Sequence, residues 1–273
     1  MENERTDHTY NDGSKFSGLQ NERNTQQCQN TPCRTTNLQH NLFIRTFDDR
    51  LGTAPSNNTG TKVGRVLDIG TGSGIWAIDF GDEHPESEVI GVDLSVVQAG
   101  FVPSNVTFEV DDIEEPWTFS NGFDYIHSRM MTGSISDWDK YLQKCHDNLN
   151  PRGYLELNDI DTVIPLSDDR TLTEDTNLMK SVRLWHEGLA GLGRHFQEFS
   201  RFKDTLAKVG FKDNKKHKEL GIWNLEKIAP HWDGFIMAPL TRALGWTKED
   251  VLALGKDARR DFADRNIHAY FNM

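Results

Sequence analysis

The chain has 273 residues, 36% of them hydrophobic and 10% aromatic, which is enough for one large domain with a buried core. Its 30 Lys and Arg against 42 Asp and Glu give a formal net charge of −12, so nucleic-acid binding, which needs clustered cations, is not expected. No apolar run reaches the roughly 18 residues of a membrane span, and the N-terminus lacks an apolar signal region. Cys28, Cys33 and Cys145 form neither a disulfide framework nor a metal quartet, so no metal is expected and a reducing, cytoplasmic or nuclear setting fits.

Residues 1–37 hold six Asn, four Gln and six Thr, with Met1, Tyr10, Phe16 and Leu19 as the large apolar residues. Such a segment cannot bury enough surface to offset its ordering entropy and is expected to be a disordered polar tail, its two cysteines free thiols. Apolar residues at 38, 42, 43, 44 and 47 then predict a helix, which ends before Gly52 and Pro55, and 56–60 reads as a loop. From Val63 the pattern alternates. Strands are predicted at 65–69, 88–92, 106–110, 123–127 and 154–157, and helices at 75–81 and 137–149, the second closed by Asn150-Pro151-Arg152-Gly153. Strand–helix alternation predicts an α/β fold with a doubly wound, mostly parallel sheet covered on both faces. Beyond Asp161 the pattern is helical, over 173–189, 195–209, 232–244 and 247–265, with a sixth strand from Gly210-Phe211 toward Lys218. Thr247 is placed to cap the last helix, with Asp250 closing a reciprocal contact.

The chemistry-bearing motif is Val66-Leu67-Asp68-Ile69-Gly70-Thr71-Gly72-Ser73-Gly74, a strand that ends in a glycine turn and enters a helix. Glycines permit positive φ and close backbone approach, and the helix behind them offers free N–H groups and a positive dipole end, so a charged cofactor is expected there. The dinucleotide fingerprint GxGxxG is not met, because position 75 is Ile, and Asp68 beside the turn would repel a pyrophosphate. A P-loop is excluded because no Gly-Lys-Ser/Thr follows. S-adenosyl-L-methionine, with a sulfonium, an ammonium and one carboxylate, suits a D-x-G-x-G-x-G turn. Asp93 ends the second strand 19 residues after Gly74, where a carboxylate can accept from both ribose hydroxyls, with Leu94 next to it. Asp111, Asp112 and Ile113 end the third strand, where a carboxylate can take the adenine amino group and Ile113 can cover the ring.

These residues resemble a class I S-adenosylmethionine-dependent methyltransferase with a Rossmann-like fold, and more narrowly the fungal LaeA-like methyltransferases of secondary metabolism. The resemblance runs through LQHNLFIRTFDDRLGTAP at 38–55, VLDIGTGSGIWAIDFGDEHP at 66–85, VIGVDLS at 89–95, DYIHSRMMTGSISDW at 124–138 and GYLELNDI at 153–160. It continues through SDD at 167–169, LGW at 244–246 and IHAY at 267–270. It implies a methyltransferase domain over 38–273, with cap helices near 38–50, 165–195 and 226–265. It implies that Gly70, Gly72, Gly74, Asp93, Asp112 and Ile113 line the cofactor, with Asp68 and Thr71 in the turn. Ser128 and Arg129, just past the fourth strand, would face the methionine end, and the helix carrying Gln39 and His40 would close over the site. Relatives place an acidic, proline-bearing lead-in where Thr31 to Thr36 stand here. Relatives also continue into a last strand, antiparallel between the fifth and sixth; here its slot is expected to be open or filled by 221–225.

The implied activity is methyl transfer to a small-molecule acceptor, the alternative being a non-catalytic, methyltransferase-like regulator with a protein partner in a nuclear complex. A nicotinamide oxidoreductase is disfavoured by Ile75 and Asp68. His127, ending the fourth strand, is the candidate general base, against a ring that only packs or bonds a carbonyl. Asp159, Asp161, His40 and His268 are weaker pocket candidates, and Met130-Met131 is expected to line the pocket wall. Trp117 and Phe119 either flank the adenine or join the core, and the run Lys212, Lys215, Lys216, His217 and Lys218 reads as a solvated edge.

Overall fold

The computed structural model describes residues 31–273 apart from 98, 160, 197–198, 213–231, 265, 268–269 and 273. Five parallel strands form the central sheet: β1 (Arg65–Ile69), β2 (Glu88–Asp93), β3 (Val106–Val110), β4 (Phe123–Arg129) and β5 (Leu149–Asn158). Their order is β3-β2-β1-β4-β5, so the winding reverses between β1 and β4. In an open parallel sheet the crevice beyond such a reversal, at the carboxyl ends of the strands, is where ligands bind.

Alternate residues of each strand face opposite helical layers. On one face helix α2 (Ile75–Glu83) lays Trp76, Ala77 and Phe80 on Val66, Val89, Val106 and Tyr125, and helix α1 (Thr31–Thr46) adds Ile44 at the margin. On the other, helix α3 (Trp138–Asp147) packs Trp138, Tyr141, Leu142 and Cys145 on Leu67, Ile69, Ile90 and Ile126, joined by Phe202 of helix α5 (Phe199–Val209). A third core binds helices α4 (Asn177–Gly191), α6 (Trp232–Arg242) and α7 (Lys248–Ala263) through Leu178, Val182, Trp232, Ile236, Leu240 and Val251. Arg194, in the loop after α4, joins this helical unit to the sheet by donating to the Ser134 carbonyl and pairing with Glu114.

Four expectations change. Helix α1 begins at Thr31, so 31–37, assigned above to the polar tail, are helical. Helix α3 stops at Asp147 and Leu149 already opens β5. Asn150 to Gly153, expected to form the stop, instead bulge within the strand, where the register jumps from Phe123↔Leu149 to Tyr125↔Tyr154 and Arg152 takes φ +72. A Cβ on Gly153 would lie 2.9 Å from the Asn150 carbonyl oxygen, so the bulge accepts only glycine there without shifting. The sixth strand β6 is Asp161–Leu166, paired antiparallel with β7 (Tyr270–Asn272) in a separate two-stranded sheet. Phe211 and Lys212 are not strand, and 221–225 with the rest of the basic run lies outside the described residues, as do Cys28 and His268.

Thr247 caps α7 by accepting from Asp250 N at 3.2 Å while its hydroxyl donates to Asp250 Oδ2 at 2.6 Å. Thr247→Ala should lower stability by about 1 kcal/mol, read as a reduced urea midpoint with unchanged slope.

Candidate functional site

The glycine turn joins β1 to α2 with φ of +68 at Gly70, +59 at Gly72 and +77 at Gly74. The three glycines answer to different constraints. A Cβ on Gly74 would lie 2.5 Å from Phe108 Cζ, and one on Gly70 would strike the Met131 thioether. At Gly72 the nearest atom is the Gly70 carbonyl oxygen at 3.9 Å, so that position opens outward into the crevice. Ser73 Oγ, in the same turn, is buried and has no hydrogen-bond partner among the described residues.

Beneath the turn lies a closed polar network. Asp68 accepts from Thr71 Oγ1 on Oδ2 (2.6 Å) and from His127 Nδ1 on Oδ1 (2.8 Å). Asn158 Nδ2 donates to the other ring nitrogen, His127 Nε2, at 3.2 Å, which assigns the ring proton to Nδ1. The imidazole stacks on Trp76 with centroids 3.7 Å apart and planes 8° from parallel. His127 is wholly buried, and both of its nitrogens are engaged within this network. Asp68 and Thr71 are likewise turned inward: they hold the turn's shape and do not face the crevice.

The strand ends facing the crevice behave differently. Asp93 accepts from Gly72 N (2.9 Å) on one oxygen and Ser95 N (3.0 Å) on the other, which leaves further lone pairs outward. Leu94, beside it, is 70% exposed. Asp111 and Asp112 are exposed, and Asp112 Oδ1 accepts from Glu114 N at 2.9 Å to shape the loop. Ile113 is fixed from behind, its carbonyl accepting from Trp117 Nε1 (2.9 Å) and Lys144 Nζ (3.0 Å). Trp117 and Phe119 therefore belong to the core, where Phe119 meets Phe123 edge-on. Burial opposes the Glu114 charge, but Ser136 N and Oγ and the Arg194 guanidinium hold its carboxyl below the usual range.

Ser128 and Arg129 are the last residues of β4, not residues past it, and they diverge. Ser128 is buried and shares its strand face with Ile126 of the α3-side core, so it does not reach the crevice. Arg129 lies on the opposite face, its guanidinium 5.2 Å over the Phe43 ring. Both terminal nitrogens donate to His40 Nδ1 at 3.3 Å, and His40 Nε2 meets Asp79 Oδ2 at 2.9 Å. Among the described residues no carboxylate lies within ion-pair distance of Arg129. Burial lowers its pKa to about 10, against the raising fields of Asp68 and Asp79. His40, expected above on a helix closing over the site and as a pocket candidate, shares one helix face with Phe43 by its i, i+3 spacing.

The remaining candidates separate. Asp159 caps the loop after β4, accepting from Met131 N (2.7 Å) and Thr132 N (2.8 Å). Met131 lies on Gly70, whereas Met130 joins the helical core of α4, α6 and α7. Trp185, Phe196 and Phe235 form an aromatic group at that core's edge. No group of three or more His, Cys, Asp or Glu suited to a metal occurs among the described residues, and none of their helices is long and apolar enough to cross a membrane.

A glycine turn at the switch point of a doubly wound parallel sheet, with acidic strand ends beyond it, defines a Rossmann-like nucleoside-cofactor protein. The family profile described as "Methyltransferase domain" matches residues 38–215, and the chain belongs to that family. Methyltransferase pytC of Aspergillus terreus is 33% identical over 86% of this chain and 76% of its own length. The secondary metabolism regulator LAE1 of Cochliobolus heterostrophus is also 33% identical, over 86% of this chain and 83% of its own. In fold, the chain is similar to mycolic acid cyclopropane synthase CmaA1, solved with SAH and CTAB, at a TM-score of 0.52 and 16% identity, covering 85% of this chain and 93% of that one.

His127→Leu leaves the buried Asp68 carboxylate and the Asn158 amide each short of a partner, and should cost about 3 kcal/mol of unfolding free energy. A general-base role would add to that a fall of about 10²–10⁴ in kcat.

Proposed function

We propose that this protein transfers a methyl group from S-adenosylmethionine to a small-molecule acceptor of fungal secondary metabolism. The observation that carries the reading is Arg129, a half-buried guanidinium held by a neutral imidazole and an aromatic face, with no carboxylate at ion-pair distance among the described residues. Such a group calls for an anion, and the α-carboxylate of an amino-acid nucleoside meets that need. The open Cβ position of Gly72 and the Ser73 hydroxyl, unpartnered among the described residues, fit a ligand lying along the turn. Asp93 would hold the ribose, Asp112 the adenine amino group, and Leu94 and Ile113 the ring faces.

When bound, S-adenosylmethionine supplies an electrophilic methyl group on a sulfonium. The chain's share is alignment and exclusion of water, which can supply about 7–11 kcal/mol of a barrier. Arg129 and Asp93 fix the two ends of the nucleoside, and the α4, α6 and α7 unit walls the acceptor side through Met130. With His127 withdrawn into the framework, the reading favours an acceptor that is already nucleophilic over one that must lose a proton to the protein. A second reading, a regulator that binds the nucleoside and a protein partner, draws on the similarity to a secondary metabolism regulator.

Calorimetry with S-adenosylmethionine, followed by mass spectrometry of a fungal metabolite extract for a one-methylene gain, tests both. Binding with product supports the enzyme; binding without product supports the regulator; no binding sinks the cofactor assignment. Gly72→Val should fold, with a left-handed backbone penalty of about 1–2 kcal/mol, yet lose at least about tenfold in cofactor affinity. Unchanged affinity would contradict the turn's role.

A further inference from the structure

Helix α1 reaches the site through two residues one turn apart. Phe43 lies under the Arg129 guanidinium, and His40 stands at its edge. An arginine has donors only, so the His40 Nδ1 atom at 3.3 Å from both terminal nitrogens must be an acceptor, and the ring proton sits on Nε2, donated to Asp79 Oδ2. The ring is wholly buried. It links three elements: α1 itself, α2 through Asp79, and the end of β4 through Arg129. One acceptor shared between two N–H groups directs that edge of the guanidinium at the imidazole and leaves its other donors for a ligand.

We propose that His40 is a positioning residue. Its Nδ1 lone pair fixes the Arg129 guanidinium for the carboxylate end of the methyl donor, so that docking of α1 and capture of that carboxylate are one event. The inference rests on the reading that Arg129 binds the carboxylate.

The groups facing His40 are Asp79 from α2 and Arg129 and His127 from β4. Burial pushes the His40 pKa below its ordinary value, the Asp79 bond opposes this, and the Arg129 charge adds to it. At neutral pH the ring is therefore uncharged and Nδ1 is free to accept. Acid places a proton on Nδ1, turns the acceptor into a donor facing two donors, and drives the guanidinium away. Capture of the carboxylate should accordingly weaken as pH falls through the acid side of the imidazole range.

The test compares two probes by calorimetry: S-adenosylhomocysteine, which carries the carboxylate, and methylthioadenosine, which lacks the amino-acid portion. His40→Phe keeps a ring but removes the acceptor, and His40→Asn keeps an acceptor near the Nδ1 position. We expect His40→Phe to lose about tenfold in affinity for S-adenosylhomocysteine with methylthioadenosine unchanged, and His40→Asn to recover most of that loss. The acid weakening of S-adenosylhomocysteine binding should vanish in His40→Asn. Equal losses for both probes in His40→Phe, or an acid response that persists in His40→Asn, would overturn the proposal. If Arg129→Gln lowers S-adenosylhomocysteine affinity while His40→Phe does not, the carboxylate reading stands and the role of His40 falls. If Arg129→Gln leaves both probes unaffected, the underlying reading fails and takes this inference with it.

Discussion

The Asp68 carboxylate is the constraint on which the site depends. It sits in the sheet, almost without exposure, and each of its oxygens holds a different element: Oδ2 the Thr71 hydroxyl in the glycine turn, Oδ1 the His127 ring on the neighbouring strand. A buried carboxylate is costly unless its lone pairs are met, and removal of one partner from such a pair costs about 3–5 kcal/mol. The turn therefore cannot relax away from β1 without uncovering the charge. The same bond orients His127, which accepts from Asn158 of β5 and stacks on Trp76 of α2. The network begun by this one side chain thus ties the turn to β1, β4, β5 and α2.

The two faces of the sheet divide the work. The face toward α3 is apolar, with Leu67, Ile69, Ile90, Val92, Phe123 and Ile126 packed in one cluster, and it supplies burial. The face toward α2 and α1 carries a belt of polar residues across β1, β4 and β5: Asp68, His127, Arg129, Glu156 and Asn158. Glu156 accepts from Thr53 N and Oγ1, Ala54 N and the Tyr125 hydroxyl, so it fastens the loop after α1 to the sheet. Apolar packing alone would allow neighbouring helices to slide. Hydrogen bonds of defined direction remove that freedom on the face where a ligand must be met by groups fixed in place.

The sheet was legible because buried parallel strands are short apolar runs, and those of β1, β2, β3 and β4 stand out between glycine-rich and charged segments. The glycine turn was legible because its three positive-φ positions favour glycine. Side-chain direction was harder to read. Asp68 looked like a ligand contact because it adjoins the turn, but strand alternation puts it with Val66 on the α2 face and under the turn. Ser128 and Arg129 are adjacent in sequence and therefore point to opposite faces, Ser128 toward the α3-side core and Arg129 toward Phe43 and His40 of α1. Asn150 to Gly153 read as a helix stop, since Pro and Gly after a helix normally end it; the same residues also satisfy a bulge, and only the pairing with Phe123 and Tyr125 distinguishes the two. The polar start of α1 carried no apolar spacing, so 31–37 gave no helical signal until its continuation from Leu38 is taken with it.

The charge pattern around Arg129 explains why a chain of net charge −12 presents a cation at this point. Asp68 and Asp79 lie close enough to favour the charged guanidinium, yet each is already committed, Asp68 to His127 and Thr71 and Asp79 to His40. The field that stabilises the cation is thus supplied by carboxylates whose lone pairs face other donors. A direct ion pair would have neutralised the guanidinium and sealed it. An imidazole used as an uncharged acceptor orients Arg129 and leaves its charge intact. On a Rossmann-like sheet the helix N-terminus already favours an anion at the turn, and the Arg129 charge extends that anion-favouring region toward β4.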